Sequence, residues 1–393
     1  YGGTSSTGGR SSYLTGQNVH RTGHADSGSP GLRREDPTIA VLLRAHGYMT
    51  GFFGKHQVGD RDANLPTNHG FDEFLGSLYD YGYGNPPGKR GVIHSFANGR
   101  ILDTGALTDE RMATFDADTV TAAADFMRRA HEGGRPFYIW WNGTRSQSES
   151  GDMPEHDRHV GRLLAQLDDL GIADNTIVHY STDSGPRADD SSEGARSPYS
   201  MAPLGDGYWR VPSIVRWPGH IAAGTISNEI MHHLDWLPTL LGAAGAAGIK
   251  DRLVEDGVRA GGRRYKVHLD GYDFLPYVEG TAETGPRREV LFFARSGELV
   301  ALRYGDWRGT FAVLEEQAYG LEAPLIVNLR RDPYGHVAAE NAAGQNLTGF
   351  VAPAEGYLGQ FLATFEEFPP PQSTVSYGIE DALAMLQLVS PQH

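Results

Sequence analysis

The sequence predicts an α/β fold: a central, mostly parallel sheet with helices on both faces, followed by a smaller C-terminal α+β region. Three observations predict it. Two short apolar runs, FYIWW at 137–141 and TIVHY at 176–180, have the length and composition of buried strands. Between them lies a helical pattern with Val160, Leu163, Leu164 and Leu167 on one face and Gly171 as its stop, and strand, helix, strand in that order favours parallel pairing through right-handed crossovers. After about residue 265 the texture changes to closely spaced strands joined by turns, VLFFARSGELVALRYGDWRGTFAV, which indicates antiparallel pairing. The predicted division is a core domain over 1–264 and an α+β region over 265–393.

The remaining elements follow in chain order. Residues 1–16, YGGTSSTGGRSSYLTG, read on composition alone as a flexible Gly/Ser-rich leader. In the stretch from Arg33 to Asp60, Asp36 is placed to cap a helix, Pro37 fits its first turn, Ile39, Leu42 and Leu43 form its apolar face, and Gly47 ends it. Tyr48–Phe53 then reads as a short strand, which puts Lys55, His56 and Gln57 just beyond its carboxyl end, where α/β sheets build sites. Residues 61–106, rich in Gly, Pro, Asn and aromatics, read as an irregular excursion. A helix is predicted from Thr108 to Arg129, a strand in RVPSIVRWPG, a helix in HLDWLPTLLGAAG and a last helix in DALAMLQLV.

Composition narrows the function. With 49 acidic against 34 basic residues and a net charge of -15, the chain repels phosphate at long range, so nucleic acid is not an expected partner. The absence of cysteine excludes disulfides, thiolate metal ligands and a Cys nucleophile made from this chain. No apolar run approaches the roughly 18–20 residues that span a bilayer, so no transmembrane segment is expected, and the first residues lack the charged and apolar regions of a signal peptide.

Several ordered segments then carry a resemblance: GRSSYLTGQNVHRTG, TIAVLLRAHGYMTGFFGK, NHGFDEFLGSLY, HDRHVGRLLAQLDDLGIADNTIVHYSTD, WRVPSIVRWPGHIAAGTISNEI, HLDWLPTLL and ALRYGDWRGTF. The chain resembles the sulfatases of the alkaline-phosphatase superfamily, of the bacterial arylsulfatase type. That resemblance implies an alkaline-phosphatase-like fold and hydrolysis of sulfate esters, by a formylglycine made from Cys or sometimes Ser and supported by a divalent metal, usually calcium. It also recasts the opening run as a nucleophile loop. Ser6 and Arg10 match the family's pattern of Cys or Ser, three residues, then Arg; Lys55 matches its Lys; Asp183 matches its metal-binding Asp in a TDNG turn.

The departures are as specific as the matches. Where the family has His two residues after the Lys, this chain has Gln57, with His56 one position early; Gln donates hydrogen bonds but is no general acid near neutral pH. Where Met-His follows Thr-Arg in the family, Ser146 and Gln147 stand here, and Ser184 replaces the Asn after Asp183. The family's Gly-Glu-Lys segment before the RVP strand has no Lys here, and its paired Asp ligands lie on a first strand that the sequence as given does not contain. The implied metal set is therefore Asp183, Ser184 and Ser6, a thin shell for calcium, which takes about six to eight oxygens.

Three readings stay open at this level. One is an active sulfatase using formylglycine at Ser6. Another is an arylsulfatase-like protein of weak or no activity, or a pseudoenzyme that holds sulfate, phosphate or a protein partner. The last is an altered or incomplete chain, with SQSESGDMPEHD and HADSGSPGLRRED shorter than the family pattern. His156, Asp157 and His159 on one helix lack a completing ligand set, and His232 and His233 are expected mainly to pack and cap.

Overall fold

The computed structural model describes residues 1–24, 31–79, 90–144, 153–185, 206–207, 209–314, 318–332, 348–371 and 378–390. The first helix is the first surprise. Residues Ser6–Thr15 form α1, and almost all of them are buried. Hydroxyls replace the missing apolar stripe: the Ser5 side chain accepts from the Gly8 amide, Ser11 Oγ donates to Gly8 O and Thr15 Oγ1 to Ser11 O. Gly16, at φ 63°, closes the helix in the left-handed conformation. The leader predicted from composition is thus a core helix. A single turn, α2 (Val19–Thr22), follows.

The expected helix α3 (Ile39–Ala45) is present, but Thr38 rather than Asp36 caps it, accepting from the Val41 amide. Asp36 is instead taken up by Arg33 and Gln17. The next strand, β1 (Met49–Lys55), runs two residues past its predicted end, so Lys55 is its final residue.

The described residues of 61–106 form no irregular excursion. They contribute β2 (Glu73–Ser77), β3 (Val92–Phe96) and β4 (Ile101–Asp103), whose Phe74 and Ile93 are fully buried. After α4 (Asp109–Glu132), capped by Thr108, comes β5 (Phe137–Asn142). The sheet order is β4-β3-β2-β1-β5; β2 and β5 flank β1 in parallel, and β3 and β4 extend the sheet antiparallel. Period-two alternation sorts β1 between layers. Phe52 faces a core with Leu42, Phe74, Leu237 and Leu241, while Phe53 packs on Ala123 and Phe126 of α4.

The helix α5 (Met153–Asp169) leads to β6 (Val178–Ser181), which pairs antiparallel with β7 (Ser213–Arg216). The predicted direct pairing of the 137–141 and 176–180 strands does not occur: β5 and β6 belong to separate sheets among the described residues. The helix predicted at 233–245 begins as a 3-10 turn, His233–Asp235, and continues as α6 (Trp236–Ala243). Then come α7 (Ile249–Glu255), the small hairpin β8 (Val258–Ala260) and β9 (Arg263–Tyr265), and a turn of helix, α8 (Leu275–Val278).

Beyond residue 265 the antiparallel expectation holds. The strands β10 (Glu289–Phe293), β11 (Leu299–Tyr304), β12 (Trp307–Leu314) and β13 (Ala318–Asn328) pair in order. Leu291, Leu302 and Phe311 face α9 (Thr348–Ala363) and α10 (Ile379–Val389); Phe292 and Ala301 face Trp209 and Ile230. Two buried ion pairs tie this region to the core, Arg21–Asp270 at 2.9 Å and Arg287–Asp235 at 2.6 Å.

Candidate functional site

The carboxyl ends of β1 and β6 and the start of α1 converge. Chain geometry brings them together before any side chain does: the Gly3 amide donates to Asp183 O at 2.9 Å, and Gly3 and Ser184 form an isolated parallel bridge. At Gly9 a Cβ would stand 1.9 Å from that same Asp183 oxygen, closer than any side chain permits. The glycine at position 9 is therefore what lets α1 lie against the end of β6.

Arg10 projects from this helix into the junction. Its Nη2 is 2.8 Å from Asp183 Oδ2 and its Nη1 donates to Lys55 O at 2.8 Å, so one buried guanidinium joins the ends of β6 and β1. Ser6 Oγ donates to Asp183 Oδ1 at 3.2 Å, and Ser184 Oγ donates to the same oxygen at 3.1 Å. Burial pushes the Asp183 pKa up, but the charges of Arg10 and Lys55, with hydrogen bonds from Ser184 and Arg10, outweigh it and hold the carboxyl below its ordinary value.

Ser6, Arg10, Lys55, Asp183 and Ser184, predicted separately, thus form one cluster. Ser6, Arg10, Asp183 and Ser184 line the end of a large cavity. Gln57 adjoins it through its backbone: Thr7 Oγ1 donates to Gln57 O at 3.0 Å. Gln57 has a φ of 54°, the left-handed region that a non-glycine residue seldom enters, and such backbone outliers gather at functional sites. His56 lies fully buried with its ring against Phe52 and Phe74, and burial, aided by His69 and Arg10, pulls its pKa down to about 3. It is a neutral ring among aromatics. Gln147 and Ser146 lie outside the described residues.

His233, expected mainly to pack and cap, also reaches the site. It lines the same cavity, its Nε2 lies 3.2 Å from Ser181 Oγ, and burial lowers its pKa. Its neighbour His232 does cap, its ring nitrogen accepting from the Leu234 amide. Nearby Asp235 accepts from Arg287 and from the His232 and Tyr272 amides.

The donor set can be compared with the metal the resemblance implies. Ser6 and Ser184 add only hydroxyls to one carboxylate, and that carboxylate already neutralises Arg10. Among the described residues no group of three or more His, Asp and Glu side chains gathers, so these residues do not fit a hard divalent cation. No helix among them is long and apolar enough to cross a membrane.

Comparison with known proteins gives this cluster its context. The family model described as Sulfatase matches residues 1–142 and 147–246. Bovine arylsulfatase A is 30% identical over 316 residues, 72% of this chain and 57% of that protein, so this chain spans little more than half of that relative's length. Human arylsulfatase A is 28% identical over 90% of this chain and 76% of its own. Among solved structures, the PsFucS1 sulfatase from Pseudoalteromonas sp. superposes with a TM-score of 0.77 at 22% identity, covering 95% of this chain and 83% of that one. The phosphonate monoester hydrolase of Agrobacterium radiobacter follows at 0.56 and 17%, covering 93% and 86%. Matched along most of its core and carrying the alkaline-phosphatase-like α/β fold, this chain belongs to the sulfatase family.

Proposed function

We propose that this sulfatase-family chain retains the anion-holding part of the family's site and hydrolyses aryl sulfate esters weakly or not at all as the polypeptide stands. The observation that carries the reading is the Arg10, Asp183, Ser6 cluster with Lys55 behind it. Two cations and the positive end of α1 favour a sulfate or phosphate group at Ser6. Hydrolysis by an unmodified Ser6 needs a base to take its proton. Asp183 is the carboxylate in reach, and its lowered pKa makes it a poor one near neutral pH.

Calorimetric titration of sulfate and phosphate into the wild-type chain and an R10A/K55A variant tests this, with circular dichroism confirming that the variant folds. Binding that the double substitution abolishes is expected. Undiminished binding in the variant, or efficient turnover of an aryl sulfate by the wild type with calcium added, would overturn it.

A second reading has its own support: Ser6 is the first residue of α1, faces the cavity and stands one helical turn from Arg10. In that reading Ser6 is converted to formylglycine, whose hydrated form supplies the nucleophile that a bare hydroxyl lacks. Intact mass decides it, since conversion of Ser6 removes two hydrogens.

A further inference from the structure

Four arginines gather on one exposed strip of an otherwise acidic chain. Arg259, Arg263 and Arg264 belong to the hairpin of β8 and β9, and Arg34 to the loop before α3; all four are exposed. The hairpin turns on Gly261 and Gly262, at φ 54° and 77°, as a two-residue turn with both central residues left-handed requires. A Cβ at Gly261 would stand 3.0 Å from Val41 Cγ2, so the tip of the hairpin rests on the first turn of α3. There Arg263 Nη1 donates to Arg34 O at 3.3 Å and joins hairpin to loop. Two residues before Arg34, the Leu32 amide donates to Val58 O at 3.3 Å, next to Gln57. The strip therefore begins beside the anion site and leads away from it.

These charges are held in place but not neutralised. Among the described residues none of the four arginines forms an ion pair, and the neighbouring acids are engaged otherwise. Asp36 and Glu35 pair with Arg33 at 2.7 and 3.8 Å, and Asp256 meets Arg264 through its main-chain oxygen, which accepts from Nε at 2.6 Å. The acceptor of Arg263 is likewise a carbonyl. A carbonyl fixes the direction of a guanidinium without cancelling its charge. Lys266, the next cation along, already pairs with Glu367 at 2.8 Å, and the strip ends there. Within it Arg259 stands directly opposite Arg264 in the ladder, and like charges so placed destabilise a hairpin. An anion shared by the two would turn that repulsion into attraction.

We propose that Arg34, Arg259, Arg263 and Arg264 form a docking strip for a linear polysulfated polysaccharide, gripped by sulfate groups other than the one at Ser6. Guanidinium forks present paired donors to the oxygens of such groups. The acidic remainder of the chain does not forbid this, because at physiological salt its field is screened beyond about 8 Å. A nucleic acid fits less well. Tyr265, the aromatic residue of the hairpin, is buried, so the strip offers no ring on which bases could stack. The choice of a sulfated over a phosphated polymer rests on the anion reading of the adjoining site; the docking itself does not.

The experiment is calorimetric titration of a dextran sulfate oligosaccharide into the full chain and into an R34S/R263S/R264S variant, with circular dichroism confirming that the variant folds. Polymer affinity should fall at least about tenfold in the variant, and its dependence on salt should flatten. Inorganic sulfate should bind both proteins alike. A single substitution, R259Q, reads the same loss without risk to the fold: it relieves the like-charge pair, so thermal stability should hold or rise while polymer binding weakens. Undiminished polymer binding in these variants overturns the proposal. So does equally tight binding of neutral dextran, or of a DNA oligonucleotide of matched charge, to the wild type. Polymer binding that survives R10A/K55A but fails in the arginine variant supports the strip even where inorganic sulfate binds neither protein, which separates its failure from that of the anion reading.

Discussion

Replacing Arg10 by Met removes the cation that joins the ends of β1 and β6 while keeping most of its apolar stem. In the folded chain Arg10 is 6% exposed and the Asp183 side chain 14%, with 2.8 Å between them. Removing one partner of such a buried pair costs about 3–5 kcal/mol, because the other is left charged and uncompensated. Lys55 also acts on Asp183, so the lower end, ~3 kcal/mol, is the expected loss. D183N strands Arg10 in the same way. The double variant strands neither, so its loss should fall short of the sum of the singles by about 2–3 kcal/mol. Urea unfolding of the four proteins at about pH 7 measures each term. Acidity adds a sign. Asp183 has a lowered pKa in the folded wild type, so its contribution is present above the ordinary carboxylate value and fades as pH falls through the folded one. In R10M burial loses its main opponent and the folded pKa rises, so the deficit of that variant should shrink between about pH 7 and pH 5. Losses that add to within about 0.5 kcal/mol, or an R10M deficit indifferent to pH, would refute the reasoning.

Other substitutions probe the frame and its supports. G9A forces a Cβ to within 1.9 Å of Asp183 O and should cost about 1–3 kcal/mol or more in thermal unfolding, with sulfate affinity falling as the two backbones separate. R287M breaks the fully buried bidentate pair with Asp235, neither of which lines the cavity, and should cost about 3–5 kcal/mol in urea while anion affinity stays unchanged. At Asp270, burial is outweighed by Arg21 and His268, which hold the carboxyl far below its usual range. Its stabilisation is therefore full above the ordinary carboxylate value and is lost only in strong acid; D270N should be markedly less stable than wild type at neutral pH, the gap narrowing as pH drops in an acid titration followed by circular dichroism.

What could be read from the sequence depended on where each segment keeps its energy. The amphipathic α4 and α5 and the apolar β5 announce themselves because side-chain burial shapes them. Helix α1 does not: hydroxyl bonds and glycine contacts satisfy it, and these leave no periodicity to find. The strands at 73–77, 92–96 and 101–103 are short and set among Gly, Pro and Asn, so turn signals masked them. At the site, Ser6, Arg10, Lys55 and Asp183 were legible through motif order alone. The inward turn of His56 and the place of His233 were not, because both depend on which layers pack against the strand ends. The separation of β5 from β6 was equally hidden, since local sequence fixes a strand's direction of travel more readily than its neighbour.

The contact of Gly9 with the Asp183 carbonyl has a consequence for how this site can change over time. Main chain touching main chain sets the spacing, so the frame survives exchange of the groups mounted on it, and a lineage can shed imidazoles without losing the alignment of Ser6, Arg10 and Asp183. The same frame leaves any group mounted at position 6 already aimed at the junction. Drift at Gly9 is another matter, because a single added methyl group there dismantles the mounting itself.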